Sequence, residues 1–528
     1  MAISVGPLPV SSSMEDPLSL AKRGETPSLA CPGPIQLTPR FTALKESLVL
    51  GKESIISSSW HRLLQCLPAE IDAVSSLGPK AIPTIRFQDT ANSQQADRFL
   101  QNLGQRGVGI IRGVVPRDTA LFWNREAEEY LGRSLPLKSP PDCSQSQDVF
   151  WSPAQVSARA HPNLLAAQKF VMSVWKSRDE NARVTTNFPI SYADRMGSRK
   201  GGGPEGSHYA SVDGGSVERW EPDGYGRAGT YEDIFQGNWE DYDPWESSTR
   251  LGVTSDLYRR AGACSIFRMF QGWLALLPVP SGPGSVQVCP LPRHATAYFL
   301  LRPFFTPLSS FSSTSSPPPT EADDDAAQWA FNHPQNSILH GALPSYAQQI
   351  TPSLHPHLQL DRSLVPVPDL EPGDYLVWHP DLIHRIIPTQ HGSNHTAASK
   401  ATAAAAAAAY IYLPACPLTQ TNALYLARQR KAFLHGHPGP DFGWGGHGHG
   451  RGESGDQVGS GTGSSSNSSN SGISQQGAQE VGDAGGDDGL RAMGLLPWDE
   501  EEADEDKERE VLAMANGILF PDLYDMYE

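Results

Sequence analysis

The chain has 528 residues and carries 58 acidic against 41 basic side chains, a formal charge of −17. That acidity, without a basic stripe and interleaved aromatics, argues against nucleic acid as a partner, and its longest apolar runs (297–305 and 403–413) are too short to cross a membrane. Six scattered cysteines form no CxxC, which suits a reducing compartment and argues against a zinc ribbon.

Residues 1–39 are rich in Ser, Pro and small apolar side chains without a period, a composition that predicts a disordered leader. No basic segment leads into an apolar core there, and Glu15 and Asp16 speak against a transit peptide, so the cytoplasm is the expected location. Between Arg40 and Leu77 apolar residues recur at helical spacing (Phe41, Leu44, Leu48; Trp60, Leu63, Leu64, Leu67), predicting two amphipathic helices. Residues 82–90 read as extended, and SQQADRFLQNLGQRG as a helix ending at Gly104 or Gly107. GVGIIRGVV (107–115) reads as a buried strand, 117–131 as a helix, and 151–175 as two helices divided at Pro162.

The second half is β-rich. Runs at 265–277, 284–289, 296–305, 358–365, 374–378 and 409–413, separated by Gly, Pro and Asp turns, predict a sandwich or barrel. Helices first and strands later make the expected class α+β. Within a domain over 40–445, residues 307–325 and the Ala-rich 396–409 read as low-complexity insertions. Residues 446–489 read as a flexible Gly/Ser-rich linker, and 490–528 as an acidic segment with apolar anchors for one docked helix.

Two stretches carry the chemistry: SVDGGSVERW (211–220) and EPGDYLVWHPDLIHRI (371–386). On a strand, residues i and i+2 share a face, so a His-x-Asp pair presents imidazole and carboxylate to one metal. A His from a distant strand completes a facial triad with open positions for other ligands. Spacing alone does not separate Asp213 and His384 from solvated residues. HPDLIH has no ligand spacing of its own, so His379 reads as structural, and Glu218 with Arg219 as a local charged network. GSRKGGGPEGS lacks the GK[ST] of a phosphate loop, and His435, His437, His447 and His449 lie in Gly-rich sequence without a designed site.

A resemblance gives these stretches more weight. WSPAQVSARAHPN, SVDGGSVERW, FRMFQGWLAL with TAYFLLRPFF, and LHPHLQLDRSLVPVPDLEPGDYLVWHPDLIH occur in order, together with GVGIIRGVVP and YIYLPACPLTQTNALYLARQRKAFLHG. They resemble a fungal and bacterial domain-of-unknown-function family (fourteen-seventy-nine) of the Fe(II)/2-oxoglutarate-dependent oxygenase superfamily. The resemblance implies a double-stranded β-helix, a jelly-roll or cupin-like barrel, buttressed by N-terminal helices. It also implies Fe(II) and 2-oxoglutarate as cofactors and hydroxylation of a small organic molecule.

Carried over by position, Asp213 is the carboxylate ligand and His384 the distal imidazole, while Ser211 stands where the first His is expected. His208 is a substitute only if its Gly-rich surroundings form a loop, because its odd offset from Asp213 puts it on the other face of a continuous strand. An Arg or Lys is needed for the far carboxylate of 2-oxoglutarate; Arg302, Arg268 and Lys400 are the candidates, with a structural ion pair as the alternative role for either arginine. A serine hydroxyl is a weak replacement for imidazole. Two readings therefore stand: an oxygenase-like enzyme with an incomplete triad, or a non-catalytic binding or scaffold member.

Overall fold

The N-terminal helical periodicity produces α1 (Arg40–Val49) and α2 (Glu53–Leu77) in a computed structural model. The structure describes residues 34–134, 146–147, 149–197, 209–259, 263–282, 284–308, 328–387, 410–442 and 476–523. In α3 (Ser93–Arg106) the Asn92 side chain accepts from the Gln95 amide at one end, and Gly107 at φ 72° ends the helix at the other. After α4 (Arg117–Ser134), α5 (Pro153–Ala160) starts with a capping box between Ser152 and Gln155 and gives way to α6 (Pro162–Met172). Later come α7 (Pro292–Leu301), α8 (Gln420–Leu434), α9 (Ala478–Ala492) and α10 (Asp506–Leu519).

The strands run β1 (Thr84–Arg86), β2 (Val108–Arg112), β3 (Ser146–Gln147), β4 (Val184–Ile190), β5 (Met196–Gly197), β6 (Ala210–Val212), β7 (Gln271–Ala275) and β8 (Val286–Val288). They continue with β9 (Phe305–Pro307), β10 (Trp329–Phe331), β11 (Gln348–Ile350), β12 (Val365–Pro366), β13 (Tyr375–Trp378), β14 (His384–Ile386), β15 (Tyr410–Tyr412) and β16 (Cys416–Thr419). One sheet has the order β1-β2-β13-β7-β15-β5-β3 and another β11-β6-β14-β8-β12; β9 with β10 and β4 with β16 form two-stranded ribbons. Only the β1–β2 pair is parallel among these described ladders. The class is α+β as expected. The expected barrel is not closed among the described residues, because the two large sheets face one another without a shared ladder.

Strand parity explains the layering. From the seven-stranded sheet, Tyr375, Val377, Leu274 and Ile411 join Phe99, Leu103, Leu164 and Val171 of the covering helices. The alternate residues Leu376, Trp378, Trp273 and Tyr410 meet Val286, Val288 and Val365 of the five-stranded sheet. On that sheet's other side, Ala210, Val212 and Ile350 pack with Trp60 and Leu63 of α2 and with Phe299 and Leu300 of α7. Ser211, between Ala210 and Val212, is left on the face turned toward the space between the sheets.

Other expectations need correction. Residues 296–305 are mostly the helix α7 rather than a strand: its side chains are buried all round, and such an apolar run has no period that separates strand from core helix. Within 358–365 only Val365 is in a strand, the rest forming helical turns around Leu360–Ser363. Order begins before residue 40, since Gln36 bridges Ile338 and Leu37 packs on the α2 core. Pro307, expected to open an insertion, ends β9 opposite Trp329, whereas 309–327 and 388–409 lie outside the described residues.

The C-terminal segment docks through α10 and through α9, which is broken by a kink at Gly486 (φ 59°) and begins inside the expected linker. Two of its glycines, Gly485 and Gly489, are packing residues. A Cβ on Gly485 would come 1.9 Å from the Ala160 carbonyl oxygen of α5, and one on Gly489 2.9 Å from the Ala160 Cβ. Gly485→Ala is therefore expected to lower stability by about 1–3 kcal/mol in urea unfolding. Gly482→Ala, whose methyl would meet Leu490 at an ordinary 3.6 Å, should leave it unchanged or raised.

Candidate functional site

The 371–386 stretch turns at Gly373, whose φ of 93° and 1.9 Å approach of a would-be Cβ to the Val115 carbonyl leave no room for a side chain. Asp374 then accepts from the Gly113 amide at 2.9 Å and pairs with Arg112 at 2.5 Å, fixing the start of β13. At its end, His379 bonds the Pro244 carbonyl through Nε2 at 2.9 Å, accepts the Asp381 amide on Nδ1 at 3.0 Å, and stacks on Trp175. Burial pushes its imidazole down to about 4, so it is neutral and structural. The chain then enters β14, where His384 lies directly opposite Ser211 of β6.

Asp213 follows β6, and Gly214 and Gly215, at φ 72° and 88°, swing the chain away after it. The result is convergence of residues far apart in sequence. His384 Nε2 stands 3.8 Å from Asp213 Oδ1, and Arg268 Nη2 stands 3.8 Å from Asp213 Oδ2. His384 Nδ1 lies 3.2 Å from the Leu382 carbonyl, an oxygen that only accepts, so Nδ1 donates to it and Nε2 is the nitrogen turned toward the Asp213 carboxylate. Arg268, buried, donates to Gln271 at 3.2 Å. Beside the group a small pocket, partly open to solvent, is lined by Gly214, Tyr225, Arg250, Cys264, Phe267 and Arg268.

Beneath the pair lies a buried polar network. Asp381 accepts from Arg250 at 2.7 Å and from the Tyr231 hydroxyl at 2.8 Å, with Arg219 3.7 Å away. Burial would push the Asp381 carboxyl up, but Arg250 and Arg219 hold it well below the usual carboxylate range. Glu218 caps the preceding turn by accepting from the Ser216 amide at 2.7 Å.

Of the residues singled out from sequence, the fold brings together Ser211, Asp213, His384 and Arg268. Arg302 is held elsewhere: it donates to the carbonyls of Leu354 at 3.0 Å and Phe305 at 2.8 Å and lies over the Trp329 ring. His208 and Lys400 lie outside the described residues. Among the described residues no cluster of three His, Cys, Asp or Glu side chains is arranged to hold a metal ion. The two ligand types that are present, a carboxylate and an imidazole with Nε2 turned toward it, fit part of a metal's ligand set. Sequence reasoning missed Arg250, which sits in no recognisable motif, and Gln271, which lies in FRMFQGWLAL beside the candidate Arg268 without being singled out.

A family model described as Gig2-like matches residues 35–477. The crystal structure of the product of GlcNAc Inducible Gene 2 from Candida albicans superposes with a TM-score of 0.73 at 26% identity, covering 93% of this chain and 96% of that one. A Salmonella typhimurium LT2 protein, described as a candidate oxidoreductase, superposes with a TM-score of 0.60 at 25% identity over 78% and 92% of the two chains. The uncharacterised protein YbiU of Escherichia coli K12 is 28% identical over 381 residues, 70% of this chain and 80% of its own length.

Proposed function

The chain belongs to the Gig2-like family, and from that premise, with Asp213 and His384 converging beside Arg268, we propose a metal-dependent oxygenase-like protein using Fe(II) and 2-oxoglutarate. On this reading the two facing sheets are the halves of a distorted double-stranded β-helix, with N-terminal helices against their outer surfaces. Asp213 and His384 would hold the iron, and Ser211 would take the third protein position. When bound, iron with 2-oxoglutarate supplies the O₂ activation needed to hydroxylate a small organic substrate.

The chain's own residues have separable tasks. Asp213 would contribute a carboxylate oxygen, and His384 its Nε2, the ring's orientation being set by the Leu382 carbonyl. Arg268 would fix the far carboxylate of 2-oxoglutarate, since its planar fork sits at the pocket wall next to Asp213. Lys400 and His208 keep their expected roles as an alternative carboxylate partner and an alternative metal ligand. The observation that carries the reading is the 3.8 Å approach of His384 Nε2 to Asp213 Oδ1, with Ser211 in register opposite His384.

A non-catalytic binding or scaffold role is the second reading, favoured by Ser211 and by the position of Arg268, which can neutralise Asp213 without a metal. Anaerobic titration with Fe(II) and 2-oxoglutarate separates the two. The oxygenase reading expects a visible charge-transfer band that disappears in Asp213→Ala. Absence of the band in the native chain and in Ser211→His alike leaves the scaffold reading.

A further inference from the structure

Arg219 touches both halves of the candidate site. Its side chain is 0% exposed. One guanidinium nitrogen donates to the backbone carbonyl of Asp213, and another to that of Gly215 at 2.7 Å. The same group lies 3.7 Å from Asp381, three residues before His384. Asp381 is itself fixed by Arg250 and the Tyr231 hydroxyl, two further buried groups.

We infer that Arg219 and Asp381 form a clamp that sets the spacing of Asp213 against His384, making both positioning residues for metal binding. The clamp rests on the metal-binding reading above. A guanidinium can direct donors to separate carbonyls while remaining beside a carboxylate; an ammonium cannot present that planar fork. A buried charged group of this kind is a weak source of stability compared with apolar packing. What it supplies is geometry: it joins the turn after Asp213, by hydrogen bonds, to the turn before His384, by an ion pair, so a shift of either ligand's segment disturbs a contact that ties it to the other. Groups that orient metal ligands characteristically change affinity by about 10–100-fold when altered.

The test is Co(II) affinity, read from its visible absorption, together with the thermal midpoint, in the full chain. Arg219→Lys and Asp381→Asn should each lose about tenfold or more in Co(II) affinity. Glu508→Gln is the control for general destabilisation. Glu508 bonds Asn187 at 2.8 Å and Thr185 where α10 docks, away from the candidate ligands, and its variant should keep native affinity while its midpoint falls. Native affinity in folded Arg219→Lys and Asp381→Asn overturns the clamp, as does an equal affinity loss in Glu508→Gln. If the first two variants do not fold, Tyr231→Phe decides, because it removes one hydroxyl from Asp381: a weakened site supports the clamp and native affinity overturns it. A native chain that binds no Co(II) overturns the metal-binding reading and the clamp with it, whereas binding by native and variants alike overturns the clamp alone.

Discussion

Ser211→His is expected to raise Fe(II) affinity by about tenfold or more and to increase 2-oxoglutarate turnover, because it supplies a third strong ligand where the fold already holds two. Residue 211 pairs with His384 on one side and Gln349 on the other, and its side chain is only half-buried, so an imidazole has space on the face it shares with Asp213. Directly opposed residues of an antiparallel pair have Cβ atoms about 5 Å apart, a separation from which two imidazoles can converge on one ion. Asp213→Ala in the Ser211→His background should abolish the gain. Iron titration and succinate production check both claims. Equal turnover by native and variant chains would show that Ser211 is no defect and would turn attention to His208 as the third ligand. No Fe(II) binding by either would leave only the fold in common with an oxygenase.

The pair Asp213 and His384 was legible through the family resemblance of the two short motifs that hold them; strand parity added that residue 211 shares a face with Asp213, while spacing alone did not separate the pair from solvated residues. Arg219 was legible as part of a charged network with its neighbour Glu218. Its partner Arg250 was not, since it meets Asp381 only after a fold that joins positions 131 apart in the chain. The N-terminal helices followed from apolar spacing alone, whereas α7 was misread because a helix buried on every side has no polar face to reveal its period. The glycines of α9 misled differently: a composition typical of linkers proved to be the small-residue face on which Ala160 rests. The sequence motifs also could not choose between Arg268 and Arg302. Only tertiary packing separates a guanidinium beside Asp213 from one bonded to the carbonyls of Leu354 and Phe305.

Acid should destabilise this protein well above the pH at which ordinary carboxylates titrate. Burial lowers His355 and His357 to about 3, with Arg302 adding to the effect, and lowers His379 to about 4, each from an ordinary 6.5. Between those values and 6.5 the unfolded chain binds protons that the folded chain refuses. The stability that comes from keeping the rings neutral is therefore complete above 6.5 and is lost as pH falls toward the folded values. Three such groups give a slope of up to about 4 kcal/mol per pH unit, and a loss on the order of 10 kcal/mol by about pH 4 is comparable with the whole stability of a typical domain. Asp381 acts in another window: its depressed carboxyl contributes stability above its ordinary 3.8 that is lost only below it, so it does not account for a loss near pH 5. Urea midpoints should fall steeply from about pH 6.5 to pH 5, and His355→Gln, which removes one titrating ring, should flatten the slope. A midpoint that stays constant over that range would mean that these rings accept protons without unfolding, which burial of His355 and His379 at 0% exposure makes costly unless the surrounding core opens to water.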